Sequence, residues 1–218
     1  MATSVKNPKK PGSAAKKKKV GHKPTFTELA RRKQILDVSS KLFMAKGFKN
    51  TSLDDIAREV GVSRGVIFYY FDGKREIGEQ TIWEALRQYG EYVQDRVGRR
   101  KTSKNQLLEF IDACLDYQHD HRELYLLTVD LVGSFGDTHD RFKLTVFVNR
   151  RTREWLVDII KEGQKSGGIG KVPASVLADV IQGFIDGLME MTAMEPEVVN
   201  IEKCKKLIRK MILNTIEP

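Results

Sequence analysis

Apolar residues recur along this chain at spacings of three and four, the signature of helices with one buried face. No stretch alternates apolar and polar residues for long enough to suggest a sheet. The first stripe, Ile35, Val38, Leu42 and Phe43, is bounded by Thr25 and Gly47, with Glu28 at the capping-box position. It predicts a helix closed by a left-handed glycine, with Phe48 folded back on Phe43 or Leu42. Two short helices follow over about 52–60 and 63–70. A long one then starts near Lys74 and carries Ile77, Ile82, Trp83, Leu86, Tyr89 and Val93. From Ser103, with Gln106 at its capping-box position, helix follows helix. Leu107, Phe110, Ile111, Cys114 and Leu115 make one stripe ending at Tyr117. Leu124, Leu127, Leu131 and Val132 make another, broken at Gly133–Gly136. A stretch from about Asp140 to Lys165 holds Phe142, Val146, Phe147, Trp155, Leu156 and Ile159. The last two helices, about 174–194 and 198–214, are more apolar around their circumference than a surface helix needs. The pattern predicts an all-α fold of about nine helices.

The two short helices carry the most specific signal. Ser52 is a good N-cap, and Asp55 stands three residues on. Ile56 and Val60 share an inner face, Ala57 permits close approach of a second helix, and Gly61 suits a tight turn needing positive φ. Ser63 caps the next helix, whose Val66, Ile67 and Tyr70 can pack inward. Arg64, Gly65, Val66 and Tyr69 lie near its N-terminal end, where N–H groups and side chains meet phosphates and base edges. This is a helix-turn-helix that presents its second helix to DNA.

At these residues the sequence resembles the tetracycline-repressor (TetR) family of bacterial regulators. The resemblance runs from Arg32 through RKQILDVSSKLFMAKGFKNTSLDDIAREVGVSRGVIFYYFDGKREI, about a quarter of the chain. It rests on Ile35, Leu42, Phe43, Gly47, Phe48, Thr51, Ile56, Ala57, Gly61, Val62, Ser63, Gly65, Phe71 and Lys74. Two departures stand out. Ser39 and Ser40 replace small alanines, which puts hydroxyls where they can bond back to the helix, and Phe68 replaces a tyrosine that often touches phosphate. The resemblance implies a three-helix DNA-binding head over 25–75 and a ligand-binding and dimerisation body over 76–218. It implies DNA contacts at Thr51, Ser52, Ser63, Arg64, Gly65, Val66, Tyr69 and Lys74. The effector pocket would draw on Tyr89, Phe110, Tyr117, Leu127, Leu131, Phe147, Trp155 and Phe184, which points to a small, mostly apolar or aromatic ligand. The last two helices of each chain would form a four-helix homodimer interface at Leu177, Gly183, Phe184, Gly187, Ile201 and Ile208.

Charge sharpens this division. Of a net charge of +9, residues 1–24 hold eight lysines and no acid, and residues 25–75 hold ten basic residues against six acidic ones. Residues 76–218 hold twenty basic against twenty-three acidic residues, so a polyanion partner belongs at the N-terminal end. Residues 1–24, rich in Pro, Gly, Ser and Lys, have little to bury and read as a disordered basic tail. Lys16, Lys17, Lys18 and Lys19 form either an arm that tracks DNA or a solubilising appendage.

Other chemistries find little support. No Walker loop, dinucleotide fingerprint, nucleophile elbow or HExxH motif occurs, so neither an enzyme nor a cofactor is expected. Gly167, Gly168, Ile169 and Gly170 read as a helix connection. His119 and His121 point too far apart on one helix to share a metal ion. Cys114 and Cys204 lack the spacing of a disulfide framework or zinc site and read as free thiols of a bacterial cytoplasmic protein. No run approaches the ~20 apolar residues of a membrane span. The expected function is a ligand-responsive transcription regulator, in the first instance a repressor, binding a palindromic double-stranded operator as a homodimer. The alternative is a sequence-tolerant, nucleoid-type DNA-binding protein without an effector.

Overall fold

The computed structural model describes residues 25–135 and 138–217, with side chains described outside 138–149. These residues form nine helices and no strand: α1 (Phe26–Lys46), α2 (Leu53–Val60), α3 (Arg64–Tyr70), α4 (Lys74–Gly98), α5 (Ser103–Asp120), α6 (Arg122–Ser134), α7 (Thr138–Lys165), α8 (Ala174–Met194) and α9 (Ile201–Ile216). No described helix is long and apolar enough to cross a membrane.

Helix boundaries follow their caps. Thr25 and Glu28 form a reciprocal box at α1, with Thr25 N–H donating to Glu28 Oε2 at 2.7 Å. At the other end, Gly47 takes a positive φ of 77° but an extended ψ of 155°, so the ending is not the left-handed one expected. Its N–H still reaches Phe43 O, and Phe48 still folds back, its ring centroid 5.2 Å from that of Phe43. The start of α5 also differs. Thr102, rather than Ser103, is the cap and accepts from Asn105 N–H, while the Gln106 side chain turns back to Arg100 O.

Two apolar clusters organise the chain. The first gathers Ile35 and Phe43 of α1, Phe48, Ile56, Ala57 and Val60 of α2, Ile67 of α3, Phe71, and Ile77 and Ile82 of α4. Leu127 and Leu131 of α6 complete it, with Val132 and Phe135 packed alongside. The core of the head therefore extends past residue 75 into α4 and takes in one face of α6. Aromatic and polar contacts reinforce that junction. Phe135 meets Phe48 edge-on at 5.2 Å, and Asp130 Oδ2 accepts from Phe48 N–H at 3.3 Å. Ser39 is fully buried, and its hydroxyl donates to Ile35 O at 2.7 Å, the back-bond expected of a serine in a helix interior.

The second cluster centres on α5. Leu107, Leu108, Phe110, Ile111, Ala113, Cys114 and Leu115 are all buried, so this helix is central and is wrapped by α4, α7, α8 and α9. Its charged edge is paired rather than solvated. Arg100 Nη2 lies 2.6 Å from Glu109 Oε2, Glu109 Oε1 lies 2.5 Å from Arg96 Nε, and Arg96 Nη1 lies 2.6 Å from Asp116 Oδ2. Asp116 Oδ1 then meets Lys205 Nζ of α9 at 2.5 Å. This ladder ties α4 to α9 across α5.

Burial alone would push the Asp116 carboxyl up, but hydrogen bonds from Lys205 and Arg96 hold it below the ordinary carboxylate value. A carboxylate lowered in this way stabilises the fold above its unfolded pKa, about 3.9, and that contribution is lost as pH falls through the folded value. Arg96→Met removes one of the two arginines paired with Glu109, whose side chain is only 7% exposed, and one of the two cations paired with Asp116. Removing one partner of a buried pair costs about 3–5 kcal/mol, and the partners left by Arg100 and Lys205 place this substitution near about 3 kcal/mol. Urea unfolding at pH 7 should show that loss, and the part owed to Asp116 should shrink below about pH 4 as its carboxyl protonates. A loss that stays constant with pH would mean the ladder contributes packing only.

Candidate nucleic-acid interface

The helix-turn-helix forms from local signals. Ser52 Oγ accepts from Asp55 N–H at 3.1 Å while Asp55 Oδ2 accepts from Ser52 N–H at 3.0 Å, which closes the N-terminus of α2. The bonds from Ser52 hold the Asp55 carboxyl below its usual range, with Lys46 and Arg58 adding a smaller effect. Gly61 is left-handed, with φ 76° and ψ 36°, and Val62 N–H reaches back to Ala57 O at 2.9 Å. A side chain at position 61 would be strained by that backbone. Ser63 then caps α3 through Val66 N–H, and Ile67, fully buried, anchors α3 to the head.

What α3 leaves outside is its N-terminal end and one flank. Ser63, Arg64 and Gly65 are exposed, Val66 is half-buried, and Phe68 and Tyr69 are 48% and 64% exposed. The hydroxyl of Tyr69 donates to Glu28 Oε1 of α1 at 2.9 Å, and that bond raises the phenol pKa. Arg64 Nη1 lies 3.3 Å from Asp54 Oδ2, and its guanidinium carbon stands 5.4 Å from the centre of the Phe68 ring. Phe68, a departure from the tyrosine usual in the resembling family, thus stands beside Arg64. Behind α3, Arg32 of α1 donates to Tyr70 O at 2.5 Å, bonds Glu76 Oε1 at 3.2 Å and lies over the Phe71 ring. That contact set fixes α3 against α1 and α4. Nothing in the spacing of Arg32 foretold it.

A shallow depression of about 340 Å³ brings several candidates together. Thr51, Ser52, Arg64 and Lys74 line it with Lys49, Asn50, Leu53 and Asp54. Their roles in it differ. Thr51 is buried, and its hydroxyl donates to Gly47 O at 2.9 Å, so its side chain braces the loop between α1 and α2. Lys74 Nζ donates to Phe48 O at 2.7 Å and Lys49 O at 3.2 Å and stands 4.5 Å from the centre of the Phe48 ring. Burial lowers its pKa. In the free chain these two carbonyls offset its unfavourable place in the first turn of α4. Lys16, Lys17, Lys18 and Lys19 lie outside the described residues.

The body candidates fall into separate places. Tyr89 and Tyr117 meet at 5.4 Å, with Tyr92 and His121 also on Tyr117. Phe110 and Trp155 meet edge-on at 5.2 Å, and Phe184 packs half-buried on the same core. Leu127 and Leu131 turn instead into the core of the head, because α6 presents that face to α1 and α4. The side chain of Phe147 lies outside the described ones. Cys114 is buried and free, and burial pushes its thiol up to about 12 despite a hydrogen bond with Tyr89. Such a thiol is unreactive at neutral pH. The hydroxyl of Tyr117 and Oε1 of Gln182 are buried with no hydrogen-bond partner among the described atoms. His121 Nδ1 is 2.9 Å from Tyr117 O, and the described residues hold no cluster of metal ligands.

On α8 and α9 the candidates divide between two faces. Leu177 and Ile208 are buried in the chain's own core, and Phe184 and Ile201 are half-buried against it. Gly183 and Gly187 face outward, and a Cβ at either would meet nothing within 4 Å. With them on the outer face of α8 stand Val176, Val180, Met191 and Met194, and α9 adds Leu207 and Met211. The four outward residues besides the glycines repeat at intervals of three and four with them, a second apolar stripe hidden in sequence by the first.

A family model described as bacterial regulatory proteins, tetR family, matches residues 35–81. The chain is 41% identical over 162 residues to the HTH-type transcriptional regulator SrpR of Pseudomonas putida, covering 72% of this chain and 73% of that protein. Over 49 residues it is 41% identical to IcaR of Staphylococcus aureus (strain Newman), a negative transcriptional regulator of the biofilm operon icaADBC. That match covers 22% of this chain and 26% of IcaR. Two solved structures share the fold. One is a protein from Saccharomonospora viridis in complex with choline, with a TM-score of 0.71 at 19% identity over 86% of this chain and 98% of that one. The other is FadR from Bacillus subtilis in complex with stearoyl-CoA, with a TM-score of 0.66 at 20% identity over 85% and 99%.

Proposed function

This chain belongs to the TetR family of bacterial regulatory proteins, and we propose that it is a ligand-responsive repressor that binds a palindromic operator as a homodimer. The observation that carries the proposal is α3, anchored from behind by Ile67 and Arg32 while Ser63, Arg64, Gly65 and Tyr69 stay open to solvent. One seven-residue helix reads only a few base pairs. A two-fold dimer doubles the contacts and reads half-sites about one DNA turn apart, ~34–36 Å, or a multiple of it. The outward stripe of α8 and α9, with two glycines that allow close backbone approach, is the face a second copy would cover.

Arg64 reads a base edge, Ser52, Ser63 and Tyr69 meet phosphates, and Lys74 holds the loop that carries Ser52. The lysines of residues 1–24 add phosphate contacts. The sense of regulation follows that of IcaR, whose described action is negative. An effector bound near Tyr89, Tyr117, Phe110 and Trp155 would be mostly apolar, with a polar group for the buried Tyr117 hydroxyl. Choline and stearoyl-CoA, bound by the two similar structures, each join an apolar part to a charged one. Helix α6, which also builds the core of the head, is the element through which a change in the body would tilt α3. The ligand releases DNA only by its difference in affinity between the two head spacings, about 1.4 kcal/mol for each tenfold.

The test is competition. A duplex selected by the protein from a random library should outcompete bulk random duplex by at least about a thousandfold at physiological salt. Equal competition would identify a sequence-tolerant nucleoid-type protein instead, whose affinity is set by phosphate neutralisation alone.

A further inference from the structure

Asp54 is the single acidic side chain lining the depression beside α3. Its neighbour Asp55 is occupied by Ser52, Lys46 and Arg58, and it already supplies the negative charge that suits the N-terminus of α2. Asp54 instead reaches across the turn at Gly61 to Arg64, ten residues on, at 3.3 Å. An exposed acid on a surface that faces a polyanion repels it. As a first-turn acid Asp54 also suits the N-terminus of α2, and its pairing with Arg64 is the contact that Asp55 does not share.

We propose that Asp54 is a positioning residue that sets sequence specificity, holding the Arg64 guanidinium away from backbone phosphates until a base edge offers two acceptors. The inference rests on the reading of this surface as a sequence-specific DNA reader. Magnitudes decide how such a device works. An exposed ion pair shifts an equilibrium by no more than about fivefold. A single solvent-exposed phosphate contact is an ion pair of the same kind, so Asp54 competes with it on equal terms. A bidentate contact from arginine to guanine discriminates by roughly 5- to 150-fold, so the right base draws Arg64 away from Asp54 far more fully than a phosphate does. Phe68 contributes from the other side, its ring centre 5.4 Å from the guanidinium carbon.

The experiment uses the full chain, a duplex selected by the wild-type protein from a random library, and a random duplex of equal length. Asp54→Asn should raise affinity for the random duplex by about two- to fivefold. The slope of log K against log [salt] on that duplex should steepen by about 0.9, the mark of one added phosphate contact. Affinity for the selected duplex should change less, so the ratio between the two should fall. In an Arg64→Ala background, Asp54→Asn should leave random-duplex affinity within about twofold. An equal gain with and without Arg64 would identify simple repulsion by Asp54 and overturn the proposal, as would an unchanged ratio. If the wild-type protein enriches no sequence at all, the reading of a specific regulator fails first, and Asp54 has no specificity to set.

Discussion

Leu131→Ala is expected to cost about 2–5 kcal/mol, the range for truncating a fully buried leucine whose site cannot collapse. The cavity would open between α6 and the head rather than inside the body, because Leu131 packs with Ile35, Phe43 and Ile77. Neither side can close it easily. Phe135 already crowds Gly78 and Phe48 at the end of α6, and Asp130 is held on the Phe48 amide. Urea unfolding followed by circular dichroism should show the midpoint falling, and DNA binding should be lost at a lower temperature than in the wild type. Effector control should weaken as well, since the element joining body to head would be looser. A loss under about 1 kcal/mol would mean that α6 rests on the head without being part of its core.

Gly187→Glu should act in the opposite way, leaving the fold intact and abolishing assembly. A Cβ at this position meets nothing within 4 Å, so the single chain has room for the larger side chain. In a seam with a second copy, the carboxylate would be buried without a partner, at about 3–5 kcal/mol for each chain. That is a loss of a hundredfold or more in dimer affinity. Sedimentation at micromolar concentration should show monomers with unchanged helix content, and affinity for the selected duplex should fall by at least about a hundredfold. Gly187→Ala should stay dimeric. A glutamate variant that also stays dimeric would move the interface away from the outer face of α8.

The two helices of the helix-turn-helix could be read from sequence because their determinants are local. Ser52 with Asp55, the apolar pair Ile56 and Val60, Gly61 and the Ser63 cap lie within twelve residues, and each acts on its near neighbours. The helices of the body were legible for the same reason, through their three-and-four spacing. Periodicity gives a helix a face but does not say what the face meets. Leu127 and Leu131 made a convincing stripe, and only the packing of α6 assigns it to the head. On α8 the difficulty is compounded, since Leu177, Ile181 and Ile185 point inward while Val176, Val180, Gly183 and Gly187 point outward. Both sets are apolar or small, so one masked the other. Long-range polar contacts were the least legible. Arg32 on Tyr70 O, Lys74 on the Phe48 and Lys49 carbonyls, and Asp54 on Arg64 depend on how the helices cross, which no residue spacing encodes. The bond from the Thr51 hydroxyl to Gly47 O was equally hidden, since it depends on how the loop between α1 and α2 folds.

The sharing of one apolar core between α6 and the head bears on how regulators of this kind can be recombined. A hybrid joined at residue 75 would separate Ile77, Ile82, Leu127 and Leu131 from Ile35, Phe43 and Phe71, the side chains they were shaped against. Each foreign pairing would bring either a void or an overlap, at roughly 1–3 kcal/mol apiece. The transplantable unit is instead discontinuous: residues 25–82 together with the inward face of α6. Exchange of reading heads between chains of this fold should succeed when positions 127, 131 and 135 travel with the graft, and fail as a loose, poorly regulated hybrid when they stay behind.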